Sequence, residues 1–131
     1  MSLNDEERHV IVELEKEKAL STFAEIEILR KAGLWNNIAN RLYYAAFHAV
    51  TALLVHDHHQ VGTHQGVVSM LHQYYIKTGI LDKEQGTFYS QLQTMREKSD
   101  YNCTYNATEK DTAPRIAQAK DFIDKVLSLI Q

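Results

Sequence analysis

Residues 35–59 read WNNIANRLYYAAFHAVTALLVHDHH, an apolar run broken by regularly placed polar residues. Leu34, Ile38, Leu42, Ala45, Ala49 and Leu53 recur at spacings of three and four, and Tyr43, Phe47, Val50 and Leu54 form a second apolar row. That period is helical, and a helix apolar on two faces is one that other helices surround. Asn37, Asn40, Arg41, Tyr44, His48 and Thr51 remain as a polar stripe. At 3.6 residues per turn they fall in one band of about 100°. Polar side chains on a buried helix need partners, each orphan costing about 1–3 kcal/mol. The stripe therefore faces either a structural hydrogen-bond network, with Arg41 paired to an acid elsewhere, or a cleft. In a cleft, Arg41 would meet a phosphate bidentately and His48 would titrate near neutrality.

On the N-terminal side of this run, Asp5 to Ala32 predicts one helix. Asp5, Glu6 and Glu7 favour the positive end of its dipole, Arg30 and Lys31 close it, and Gly33 supplies a left-handed stop. Glu13, Glu15 and Glu17 with Lys16 and Lys18 read as its solvated face. On the other side, Thr63 caps a third helix over His64 to Thr78, which Gly79 ends. Asp82-Lys83-Glu84-Gln85 is a capping box opening a fourth helix. Its stripe of Phe88, Leu92 and Met95 extends toward Ser99, with Arg96 at the edge, and Asn102 to Thr108 reads as a loop. The last helix is expected to start near Thr112, with Pro114 in its first turn, and to bury Ile116, Ala119, Ile123, Val126 and Ile130. No repeat, linker or strand-like alternation interrupts the pattern. The expectation is an all-α protein, a five-helix up-and-down bundle forming a single domain over residues 1–131.

Composition agrees. The 131 residues are 44% hydrophobic and 24% charged, which suits one globular domain and excludes a large two-domain enzyme. Five glycines and one proline are too few for the turns of a sandwich or barrel. A net charge of −3 argues against broad, non-specific attachment to nucleic-acid phosphates, so any such ligand must be held by a few placed groups. One cysteine, Cys103, excludes a disulfide framework. The N-terminus to His9 is polar and acidic, unlike a signal peptide, and no run of about 18 consecutive apolar residues occurs. A cytoplasmic location without a membrane is expected.

Three constellations can carry chemistry. His56-Asp57-His58-His59, with His64 and His72, contains good metal ligands, but no closed set of four can be assigned and HExxH is absent. No metal and no cofactor is therefore expected. The second constellation is the polar stripe of residues 35–59. The third is Arg96-Glu97-Lys98-Ser99-Asp100-Tyr101, where Arg96 and Asp100 are spaced for an intrahelical ion pair. Alternatively, Arg96, Asp100 and Tyr101 converge with Arg41 and His48 to hold a phosphodiester or nucleotide.

The order Arg41-Leu42-Tyr43-Tyr44-Ala45-Ala46-Phe47-His48-Ala49, then Thr63-His64-Gln65-Gly66-Val67, then Arg96…Asp100-Tyr101 resembles the HEPN (higher eukaryotes and prokaryotes nucleotide-binding) family over nearly the whole chain. The resemblance implies a helical bundle that pairs as a homodimer, often beside a small nucleotidyltransferase in a toxin–antitoxin module. It also implies, for active members, metal-independent RNA cleavage by an Arg-x4–6-His motif. Here the window after Arg96 holds Tyr101 and no histidine. A tyrosine, with a pKa near 10, is a poor base at pH 7. The leading expectation is thus a nucleotide- or RNA-binding subunit with Arg41, Tyr44, His48 and Asp100 as binding residues. The alternatives are a divergent endoribonuclease using Arg96 and Tyr101, with His48 or His64 as substitute histidines, and a purely structural assembly module.

Overall fold

The computed structural model describes residues 2–131. Among them it has no strands; its helices are α1 (Asp5–Ala24), α2 (Ile26–Lys31), α3 (Trp35–His56), α4 (His64–Leu71), α5 (Lys83–Tyr101) and α6 (Glu109–Ser128). A π turn, His72–Ile76, prolongs α4. Since α2 nearly continues α1, the chain forms five rods.

Local chemistry explains most of the boundaries. Asn4 caps α1 in a reciprocal box with Glu7, and Asp82 caps α5 in another with Gln85. The Thr63 hydroxyl accepts from the Gly66 amide at 2.9 Å and starts α4. Gly33 and Gly79 stand at φ +70° and +82°, the left-handed conformation that lets glycine stop a helix cheaply.

Three boundaries and one apolar position differ from expectation. The first helix breaks at Glu25, whose amide bonds to Thr22 O three residues back, so Asp5 to Ala32 is two pieces. The central helix stops at His56 instead of His59, where Asp57 and the left-handed His58 (φ 69°) turn the chain. The last helix begins at Glu109 because Thr108, extended at φ −109°, is its cap, whereas Thr112 is fully buried one turn inside. Pro114 is consequently its sixth residue, not a first-turn residue, and the Lys110 carbonyl it deprives of an amide donor lies on an exposed residue that water reaches. Leu34 leaves the apolar row: it caps α3 and is 46% exposed.

α3 packs against α1, α2, α4, α5 and α6, as a helix apolar on two faces must. Ala45, Ala46, Ala49 and Ala52 are all fully buried on it, and these small side chains let neighbouring helices approach closely. By length and composition Trp35–His56 would also suffice to cross a bilayer, but 72% of that window is buried inside the bundle. Its apolar surface is spent on its neighbours.

Gly86, in the first turn of α5, breaks nothing; it marks a close approach. A Cβ there would stand 2.8 Å from His72 Cε1 and 3.0 Å from Ile76 Cγ1. Alanine ordinarily stabilises a helix by about 1 kcal/mol over glycine. Overpacking against the π turn outweighs that gain, so Gly86→Ala is expected to lower unfolding free energy by about 1 kcal/mol in denaturant titration. Gly62→Ala, with nothing within 4 Å, is the control and should be neutral or better.

Candidate functional site

The polar stripe of α3 meets the last two turns of α5. Asn40 is the hinge of the contact. Its Oδ1 accepts from Arg41 Nε at 3.0 Å and Nη2 at 2.6 Å, and its Nδ2 donates to Asp100 Oδ2 at 3.1 Å. Asp100 Oδ2 lies 3.9 Å from Arg96 Nη1, which in turn donates a long bond, 3.5 Å, to the Tyr101 hydroxyl. The polar chain Arg41–Asn40–Asp100–Arg96–Tyr101 is therefore continuous across two helices.

Tyr44 lies between the arginines. The Arg41 and Arg96 Cζ atoms are each 5.6 Å from its ring centroid, so both guanidiniums occupy one side of the bundle. Arg96 also covers the Tyr43 ring at 4.8 Å and the Tyr101 ring at 5.8 Å. It is only 6% exposed, and its Nε is buried without a partner. A desolvated guanidinium with unused N–H groups costs free energy until an acceptor arrives. Arg41 is better satisfied, with Glu25 Oε2 at 3.4 Å besides Asn40. Tyr101 is 76% exposed and borders the site from outside.

The histidines divide. His48 Nδ1 is 2.7 Å from Glu15 Oε2 on α1, and its ring is 6.4 Å from that of Tyr44. His64, the first residue of α4, stacks on Phe47 at 4.5 Å and lies edge-on to Tyr44 at 5.7 Å. Its Nδ1 is 2.8 Å from the Tyr43 hydroxyl. Burial first, then the Arg96 and His48 charges, hold His64 below the usual histidine value, so its neutral form is favoured. Burial raises Tyr43, and pushes the wholly enclosed Tyr89 well above the phenolic value. Tyr43 is thus a neutral linker between Arg96 and His64.

His56, His59 and His72 serve the scaffold. His56 Nδ1 meets Asp57 Oδ1 at 2.8 Å, its Nε2 reaches Gln131 O at 3.2 Å, and Asp57 Oδ2 accepts from Tyr75 at 2.6 Å. His59 stacks on Tyr74 at 3.9 Å, and His72 Nε2 is 3.3 Å from Ser90 Oγ. Among the described residues no three His, Cys, Asp or Glu side chains converge on a metal position.

The structure brings Arg41, Tyr44, Arg96, Asp100 and Tyr101 to one place, with His48 at its margin toward α1. Sequence reasoning missed Glu15, which looked like part of a solvated face, did not single out Glu25, and did not select Asn40 or His64 as binding residues. Asn40 carried a signal, since it stands in the stripe beside Arg41. His64 carried a weaker one, directly after a cap and a chain break.

A family model described as the HEPN domain matches residues 12–129. A Thermotoga maritima protein described as a "UPF0332 protein" is 30% identical, the match spanning 95% of this chain and 95% of that protein. Two Methanocaldococcus jannaschii proteins, each described as a "putative toxin", are 28% and 29% identical over 92% and 86% of this chain, covering 87% and 78% of their own lengths. A match spanning α1 to α6 includes every helix that builds the arginine site, and the chain belongs to the HEPN domain family.

Proposed function

We propose that this chain is a nucleotide- or RNA-binding HEPN subunit, residues 1–131 acting as one domain. It holds a phosphate of its ligand between Arg41 and Arg96, with Tyr44 beneath and Tyr101 at the rim. The observation that carries this reading is Arg96, 6% exposed yet donating only one long hydrogen bond. A phosphate oxygen is the acceptor whose charge and geometry a guanidinium matches best. The net charge of −3 fits a ligand gripped by few contacts. Two Methanocaldococcus jannaschii relatives, each described as a "putative toxin", support a toxin-type role, which we set in a two-component module in the cytoplasm. There the chain works as a homodimer beside a small nucleotidyltransferase. Sedimentation and co-purification test those two associations.

Binding is tested by fluorescence anisotropy of a labelled single-stranded RNA and of a labelled adenine nucleotide. Arg41→Ala is expected to weaken the bound probe about tenfold, the value of one exposed charge-assisted contact. A lower melting temperature with unchanged affinity would instead make the network structural and the chain an assembly module. The second reading, endoribonuclease, rests on the Tyr101 hydroxyl at 3.5 Å from Arg96. Labelled RNA incubated with the protein must then be cleaved, and cleavage must vanish in Arg96→Ala.

A further inference from the structure

We propose that His64 is a ligand-contacting residue that joins Arg96 on a phosphate group and takes up one proton as the ligand binds. The inference rests on the nucleotide-binding reading above and adds a residue and a regulation to it. It follows from the pairing of charges around the site. Both arginines there already have a carboxylate, Arg41 with Glu25 at 3.4 Å and Arg96 with Asp100 at 3.9 Å, and the third carboxylate, Glu15, is bonded to His48 at 2.7 Å. The apo site is therefore close to neutral, and an arriving phosphate brings a negative charge that none of these pairs has left to balance.

His64 is the titratable group able to answer it. Its imidazole faces Tyr43, Tyr44, Phe47 and His48 from α3, and Arg96 lies across Tyr43 from α5. On α1, Glu15 is bonded to the neighbouring His48. No carboxylate bonds His64 among the described residues; its only hydrogen-bonding neighbour is the Tyr43 hydroxyl on Nδ1, which leaves Nε2 open. Tyr43 also places the ring, since the same side chain supports Arg96 through its face and His64 through its hydroxyl. His64 further begins α4, where the unpaired amides of the first turn favour an anion.

These charges fix the sign of the pH dependence. In the empty site burial and Arg96 favour neutral His64. A phosphate beside it favours the imidazolium and raises its pKa. Between the two values binding takes up a proton, so affinity falls as pH rises, by up to about tenfold per unit for one linked proton.

The test is isothermal calorimetry with a 2′-O-methyl RNA oligonucleotide bearing hydroxyl ends, which neither titrates in this range nor supplies an attacking 2′-OH. AMP is the second probe, separating a free nucleotide from an RNA backbone. Titrations in two buffers of different ionisation heat count protons. Wild type should take up close to one proton, and His64→Gln should take up none and lose the pH dependence. Because His64→Gln also removes a packed ring, its melting curve is recorded. The His64 imidazole resonances of the wild type, which must move to the protonated form on ligand addition, give a reading free of any variant. Binding without proton uptake, or equal uptake in His64→Gln, overturns the inference and leaves the binding reading standing. No binding of either probe overturns both.

Discussion

Arg96→Ala is expected to abolish ligand binding, with affinity falling about 100-fold or more while the protein still folds. Two charge-assisted hydrogen bonds from a desolvated guanidinium to phosphate are worth about 3 kcal/mol together, which is that factor. The stability change should be smaller than the side chain's burial suggests. Alanine forfeits the stacking on Tyr43, Tyr44 and Tyr101, each cation–π contact worth about 0.5–2 kcal/mol. It also removes a buried Nε that has no partner, which offsets part of that loss. A decrease of about 1–2 kcal/mol in unfolding free energy is the expected balance. Arg96→Lys keeps a charge but neither the plane nor the fork, so it should recover part of the stability and little of the affinity. Removing Arg96 also removes a positive neighbour from His64, whose titration by NMR must therefore move upward. Wild-type affinity in a folded Arg96→Ala protein would dismiss the arginine site.

Leu42→Ala is expected to cost more stability than Arg96→Ala, Arg41→Ala or Gly86→Ala. Leu42 is fully buried on α3, in the core shared with α1, α5 and α6. Deleting three carbons there loses transfer free energy and leaves a cavity, together about 2–5 kcal/mol. A domain of this size has about 5–15 kcal/mol in total, so at the middle of both ranges the midpoint of urea unfolding should fall by about a third. Collapse around the gap is hindered because the neighbours Ala45, Ala46 and Ala49 have no longer side chain to swing inward. A loss under about 1 kcal/mol would mean that α3 is not the rigid centre of the bundle. Leu42 also sits between Arg41 and Tyr43, so the variant's ligand affinity reports how far the site depends on the packing beneath it.

The helices and the centrality of α3 were legible in the sequence because they rest on local rules. A helical period, two capping boxes and the glycines at 33 and 79 act within a few residues of themselves. The polar stripe on α3 was legible for the same reason, as were the separate groups Arg41, Tyr44 and His48 on one helix and Arg96, Asp100 and Tyr101 on another. The family, too, could be read from the order of these motifs. The start of the last helix was misplaced: it was expected near Thr112, but the Thr108 hydroxyl accepts from the Asp111 amide and caps α6, and Thr112 is buried one turn inside.

What joins α3 to α5 could not be read along the chain. Asn40 bonds Asp100 across sixty positions, and Tyr43 supports Arg96 on its face while its hydroxyl meets His64. Glu15 read as part of a solvated face until α1 laid it against His48, and Glu25, at the break after α1, meets Arg41 only in the folded chain. Gly86 carries no signal along the chain, and only the fold brings the π turn within 2.8 Å of where its Cβ would stand. The physical reason is the same throughout. Helix propensity and amphipathic period are properties of neighbours in sequence, whereas the charge state of His64 and the desolvation of Arg96 depend on which helices close over them.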